Sequence, residues 1–323
     1  MSRPFLPLPL LLGFALLLPA MAAATTAAEA DALLKDRDPR AAQVVAALAK
    51  ARPEDPAVRV LQLRLLLQDP GKSKQALAFA EDLVEDAPDY APGHLWLGNA
   101  YANRIGQVGS FSQATMAPRL RRTLERAIEL DANLHEARSA LMEYYLQAPG
   151  IVGGSAEKAR AQAAELQRRD PPRGYYALGR LAQYEERLDD ARRHYLDAYA
   201  ARPSNPVYRM SAGIIHQDAK DWAKAFAVFD LWTREEPKAA GAWYQLGRTA
   251  VLSGQRLDDG VAAFRRFLAL PEQPGQPEHK HAWYRMGQAL ALAGDKAAAR
   301  QALEKALAMD PSLQEAKDAL AEL

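Results

Sequence analysis

Cysteine is absent from the 323 residues. That absence removes a disulfide framework, a thiolate zinc site, a thiol nucleophile and a cysteine-borne lipid anchor. The folded chain must therefore hold together by packing. Net charge is also missing: 41 Lys and Arg face 40 Asp and Glu. Without an excess of cations there is no field to collect phosphates, so no nucleic-acid partner is expected. Long apolar runs are scarce as well. The one notable run, from Phe5 to Leu18, is shorter than the ~20 residues that a membrane span needs.

That run has the three parts of a secretory signal. Arg3 supplies a basic start, the Leu-rich segment an apolar middle, and Ala20-Met21-Ala22 a small-x-small cleavage site. We expect residues 1–22 to be removed on export, leaving no stable membrane insertion. Losing Arg3 balances the two signs at 40 each. An exported chain without cysteine fits a periplasmic location, and it is not a lipoprotein.

The stretch that organises the rest lies near the end. Trp283, Met286, Gly287 and Leu290 fall at i, i+3, i+4 and i+7, one face of a helix. Gly294-Asp295 breaks the pattern and Ala299, Leu303 and Ala306 begin a second face, closed by Asp310-Pro311. This predicts two antiparallel helices, with Gly287 and the alanines allowing close approach. One such hairpin cannot bury its own apolar face and needs neighbours.

Copies precede it. Trp243, Leu246, Gly247, Phe264 and Phe267 form one; Gly213, Ala225, Phe229 and Pro237 another; Leu178, Gly179, Ala191, Tyr195 and Ala198 a third. Arg187-Leu188-Asp189-Asp190 recurs as Arg256-Leu257-Asp258-Asp259. Leu97-Gly98 with Leu124 and Ala127, and Leu141 and Tyr145 with Ala159 and Ala163, mark two earlier copies. The order W-x2-[LM]-G-x2-[YL] then A-x3-[FL]-x2-A, repeated near 34 residues, resembles the tetratricopeptide repeat family. The resemblance implies an all-α fold, a right-handed α-α superhelix. We read residues 23–56 as a partial first repeat, 57–323 as the array, and 312–323 as a capping helix.

Two copies carry extra residues. Gly98 and Ala127 are 29 positions apart, against 19 between Gly287 and Ala306. The surplus lies at about 102–119, as lengthened helices or a projecting segment with part-helical arms. The projecting form is favoured because Pro118 suits a first helical turn. The next copy holds an APGIVGGS stretch at 147–155, where Gly153-Gly154 permits unusual backbone angles and Ser155 suits a helix N-cap. This pairing resembles secreted bacterial tetratricopeptide-repeat proteins of unassigned role.

Candidate binding residues follow on two surfaces. In the family, positions of each first helix face a concave groove. Here they are Tyr176, Arg180 and Tyr184, then Met210 and Ile214, then Tyr244 and Arg248, then Tyr284 and Arg285, with Gln183, Gln217 and Gln288 beside them. Tyr and Arg are the commonest anchors of interfaces. Tyr176/Arg180 and Tyr244/Arg248 each share a helix face at a spacing of four. On this reading, replacing Arg180 and Arg248 by Ala weakens partner capture and leaves melting unchanged. The second surface is the insertion edge: Ile105, Val108, Phe111, Met116, Gly150, Ile151, Val152, Gly153, Gly154 and Ser155. As an anion nest, the 150–155 loop lacks both a preceding strand and the Lys-Ser or Lys-Thr ending of a phosphate loop. The His279/His281 pair wants a third ligand to hold a metal, and the other histidines stand singly on helices. No catalytic residue, metal or cofactor is expected. The expected role is a periplasmic scaffold or adaptor for a protein or peptide, not an enzyme. An accessory subunit of an envelope enzyme or transport system is the first alternative, and a small-molecule or glycan binder using the insertion edge the second. Oligomeric state is not legible.

Overall fold

A computed structural model describes residues 26–35, 37–273 and 275–323. The segment read as a secretory signal lies outside the described residues. Every regular element among those residues is helical. The chain divides into two compact units, one through Asp131 and one from Ala132 to Leu323.

The first unit contains α1 (Ala27–Lys35), α2 (Ala41–Ala51), α3 (Pro56–Leu67), α4 (Ser73–Asp86), α5 (Ala91–Ile105) and α6 (Ser110–Leu130). Local chemistry sets the helix starts. Thr26 and Glu29 cap α1 reciprocally: the Thr26 Oγ1 accepts from the Glu29 N–H at 3.1 Å and the Glu29 carboxylate accepts from the Thr26 N–H at 2.7 Å. Asp55 caps α3 by accepting from the Ala57 N–H at 2.9 Å, and Pro56 sits in the first turn where no N–H is needed. Ala30, Leu34, Val45, Leu48, Val58 and Leu61 bury against one another as the core of α1–α3.

The residues at 102–119 lengthen both helices of their hairpin. α5 has 15 residues and α6 has 21, and only residues 106–109 link them. Pro118 is therefore not in a first turn: it lies inside α6. Its missing N–H comes where the face toward α5 is only beginning, since Leu120, Leu124 and Ala127 are the buried residues of α6.

The second unit is a run of hairpins. These are α7 (His135–Gln147) with α8 (Ala156–Arg169), α9 (Pro171–Tyr184) with α10 (Leu188–Ala201), and α11 (Pro206–Asp218) with α12 (Trp222–Glu235). Next come α13 (Ala240–Ser253) with α14 (Leu257–Leu268), and α15 (His279–Leu292) with α16 (Lys296–Met309); α17 (Gln314–Ala321) follows. Within this unit each helix packs against the next. The turns are chemically alike. Glu186, Lys220 and Gly294 adopt positive φ just past a first helix. The next N–H then bonds back to the last turn, Arg187 to Ala182, Asp221 to His216 and Asp295 to Leu290. Asp221 and Asp295 go on to cap the following helix, accepting from the Lys224 and Ala298 N–H groups.

A glycine facing a large side chain sets the register within each hairpin. A Cβ on Gly179 would stand 2.6 Å from Tyr195; on Gly213, 2.1 Å from Phe229; on Gly247, 2.7 Å from Phe264; on Gly287, 2.7 Å from Leu303. In the first unit Gly98 meets Leu124 in the same way at 2.7 Å. Only glycine lets these helices close over side chains of that size, each worth roughly 1.5–3 kcal/mol when buried. At the corresponding position of α7 the sizes reverse: Met142 is buried there and α8 offers Ala159 and Ala163.

The proline-rich link after α14 does not part its hairpins. Tyr244, Phe264, Phe267, Met286 and Ala302 share one core across it. Phe267 also meets the His279 ring edge-on at 5.5 Å.

Candidate partner-binding surface

The first helices of the second unit carry the row read as a groove. Apart from Tyr184 and Arg285, its residues fall in two positions relative to the repeat glycine. Tyr176, Met210, Tyr244 and Tyr284 come three before it, and Arg180, Ile214, Arg248 and Gln288 one after.

The two arginines are already occupied. Arg180 reaches from α9 to Glu143 on α7 as a bidentate pair, Nε to Oε1 at 2.7 Å and Nη2 to Oε2 at 2.8 Å. Its Nη1 also donates to Gln183 at 3.2 Å. Burial pushes the Glu143 carboxyl up, but the Arg180 guanidinium outweighs it and holds the group below the usual carboxylate range. Hydrogen bonding to Glu143 raises Arg180 in turn. Arg248 on α13 donates to the Gln217 Oε1 on α11. Gln217 is buried, and its Nε2 donates to the Thr249 hydroxyl at 2.7 Å. These arginines are clasps between successive first helices. Because these bonds join α9 to α7 and α13 to α11, replacing the arginines by Ala is expected to lower melting, in place of the unchanged melting expected from the sequence.

The tyrosines differ among themselves. Tyr244 is 9% exposed, edge-on to Phe264 at 5.8 Å and Phe267 at 5.4 Å, and so belongs to the core instead of the groove. Tyr176 is half-buried, stacked on Tyr208 at 5.3 Å and tilted on Tyr195 at 5.2 Å. Burial raises the Tyr176 phenol and takes Tyr195 up to about 12. Met210 packs on the α12–α13 core and Ile214 is half-buried. Tyr284 is half-buried; its hydroxyl accepts from Gln288 at 2.8 Å and Arg285 lies over its ring at 5.3 Å. Of the row, Tyr184 alone is strongly exposed, at 55%.

Tyr184 has counterparts that the sequence reading missed. Five residues after the repeat glycine stand Tyr184 on α9, Asp218 on α11, Leu252 on α13 and Leu292 on α15. Leu252 and Leu292 are 42% and 56% exposed, and Asp218 is exposed as well. The signal was in the register: an apolar residue at the last turn of a first helix, just outside the apolar stripe.

The two insertions stand in different units. Around residues 106–109, the Gln113 side chain donates to the Ile105 and Val108 carbonyls at 3.2 and 2.9 Å, fixing the link from inside. Ile105, Val108 and Met116 are half-buried and Phe111 points to solvent. In the 147–155 stretch, residues Gly150–Val152 form a tight turn and Gly153 has φ +104. A Cβ on Gly154 would fall 1.7 Å from the Ala148 carbonyl. The N–H groups of Gly153, Gly154 and Ser155 bond to the Gly150, Pro149 and Tyr145 carbonyls, so the loop directs none of them at an anion. Ser155 caps α8, accepting from the Lys158 N–H at 3.2 Å, and Tyr144 donates to the Val152 carbonyl. Ile151, 96% exposed, is left at the apex.

A cleft of about 530 Å³ opens between α12, α13 and α14, over Trp243 and Leu246. At one end Arg256 clasps Asp230 and Asp259 and lies 4.4 Å over the Phe226 ring. Arg234 and Arg266 line the rest of the rim. Among the described residues no group of three or more His, Asp or Glu is placed to hold a metal ion. No described helix is long and apolar enough to cross a membrane.

A tetratricopeptide repeat model matches residues 176–240 and 244–313, the helices from α9 onward. Residues 176–313, less than half of the chain, thus carry tetratricopeptide repeats. Such repeats are, in general, protein–protein interaction modules. Solved structures agree on the fold. Yeast Tom70 aligns with a TM-score of 0.57 at 16% identity, over 91% of this chain and 59% of that one. The APC/C hetero-tetramer Cut9–Hcn1 gives 0.56 at 18%, over 91% and 54%. PilF of Pseudomonas aeruginosa gives 0.52 at 15%, over 72% and 97%. The chain thus spans between half and two thirds of the first two. No curated protein matches it in sequence.

Proposed function

We propose that this protein is a periplasmic scaffold holding a protein or peptide partner across the row Tyr184, Asp218, Leu252 and Leu292. The observation that carries the reading is that exposed apolar side chains occupy one repeat position in three of four hairpins, while the polar groove residues are spent on internal clasps. Exposed apolar groups in register are what a partner would cover. Asp218, set between them, asks for a basic or hydrogen-bonding group. The test is capture from crosslinked envelope extract by the chain and by its Leu252→Asp/Leu292→Asp variant. One dominant partner, lost with the variant, supports the row; equal capture by both baits removes it.

Export rests on the basic start, apolar run and small-x-small site of residues 1–22. Intact mass of the protein recovered by osmotic shock should correspond to a chain beginning at Ala23. An uncleaved mass in the cytosolic fraction overturns that part. An accessory role beside an envelope enzyme is a special case of the scaffold, in which the captured partner is that enzyme. The ligand-binder alternative now has a better home in the α12–α14 cleft than in the 147–155 loop. A rise in melting with small anionic ligands would favour it.

A further inference from the structure

The apex of the α5–α6 hairpin brings two properties together. The first is apolar exposure. Phe111 is 85% exposed, and Ile105, Val108 and Met116 surround it around the link. Ser110 to Arg119 contributes no buried residue to α6, so this stretch stands clear of the core. The second is charge of one sign. Between Asp89 and Glu125 there is no acidic residue, the longest acid-free span among the described residues. The same span carries Arg104, Arg119, Arg121 and Arg122. Arg121 is spent on Glu125 at 2.9 Å and the half-buried Arg104 donates to the Ser73 hydroxyl at 3.4 Å; Arg119 and Arg122 are exposed, Arg119 beside the Tyr101 phenol.

Spacing orders the two along one axis. At about 1.5 Å per residue, Arg119 lies roughly 12 Å and Arg122 roughly 16 Å behind Phe111 along α6. An apolar tip buries about 5–10 Å into the boundary of headgroups and acyl chains. A basic collar at these depths then falls among the headgroups. Gln113, bonded to the Ile105 and Val108 carbonyls, keeps the link's polar backbone satisfied as it leaves water.

We propose that the α5–α6 apex is a peripheral docking point for an anionic lipid surface, with Phe111 as the inserted side chain and Arg119 and Arg122 as the headgroup contacts. The contact rests on the surface and spans nothing, and it is independent of the partner row in the other unit. Charge complementarity and shape choose this occupant. A stable protein pair covers about 800 Å² per side, which suits a broad face better than a pointed hairpin end.

The absence of cysteine makes the test clean. Phe111→Cys in the full chain gives a unique site for an environment-sensitive fluorophore, and Arg126→Cys, on the same helix near its other end, is the control. Vesicles of phosphatidylglycerol and phosphatidylcholine should shift the Phe111→Cys label to the blue at low salt. Vesicles of phosphatidylcholine alone should not, and the control label should not move with either. Arg119→Gln/Arg122→Gln should weaken the titration by roughly thirtyfold, as expected for two cations near an anionic surface. Raising the salt should release the label. Lack of a shift with anionic vesicles overturns the proposal. So does an equal shift with neutral vesicles or with the control label. A shift that grows with protein concentration without vesicles assigns the apex to a second copy of the chain, and one produced by a lipid-free envelope extract assigns it to a protein; either overturns it.

Discussion

Glu143 on α7 and Arg180 on α9 join two hairpins through a bidentate ion pair. Arg180 was legible as an interface residue because it recurs four after a tyrosine. Its acceptor, 37 positions earlier, gave no local signal, because clasps between hairpins are a property of stacking. The pair is partly exposed, so Arg180→Ala should cost about 1–2 kcal/mol, much of it from stranding Glu143. The sign with pH follows from the depressed carboxyl. Its stabilisation is fully present above the unfolded value near 4.3 and is lost as pH falls through the lower folded value. Urea midpoints should therefore separate wild type from Arg180→Ala at pH 7, and the gap should close on acidification. A gap that does not change with pH contradicts the clasp. Lys220 makes a second residue-scale case. It holds φ +56 where the α15–α16 turn uses Gly294. Lys220→Gly should gain up to about 1 kcal/mol by relieving left-handed strain, and Gly294→Lys should lose a similar amount. Melting temperatures of both variants check the prediction.

At the scale of the hairpin, glycine and its opposing bulk were the most legible feature, and the structure returns them as contacts. Gly287 with Leu303 and Gly247 with Phe264 were readable because each pair sits at fixed distances within one repeat. Gly213→Ala should be costly, since its Cβ would meet Phe229 at 2.1 Å in a fully buried site. Overpacking of this kind costs about 1–3 kcal/mol. Adding Phe229→Leu should recover part of that loss, and denaturant midpoints of the single and double variants measure the coupling. The insertion at 102–119 was located by counting, but its form was misread. Pro118 suggested a first turn by general preference; inside α6 it sits ahead of the packed stretch, where a lost backbone bond displaces no core contact. Tyr244 and Tyr176 were indistinguishable by register. Their burial differs because Phe264 and Phe267 enclose one, while Tyr208 and Tyr195 leave the other partly open.

For the whole molecule, the all-α repeat fold was readable from periodicity together with the repeat-family resemblance, whereas the partner surface was not. A repeat position advertises its place in the hairpin, but its exposure depends on what the next hairpin covers. That is why the polar row turned inward, and why Leu252 and Leu292 emerged only from accessibility. The claim that the row Tyr184, Leu252 and Leu292 meets a partner is tested most directly by site-specific photo-crosslinking in the cell envelope. A photoreactive residue is placed in turn at Tyr184, Leu252 and Leu292, and at Arg193, exposed on α10, as control. The account predicts one and the same crosslinked species from the three row positions and none from Arg193. Crosslinks from Arg193 alone, or different species from each row position, would contradict it.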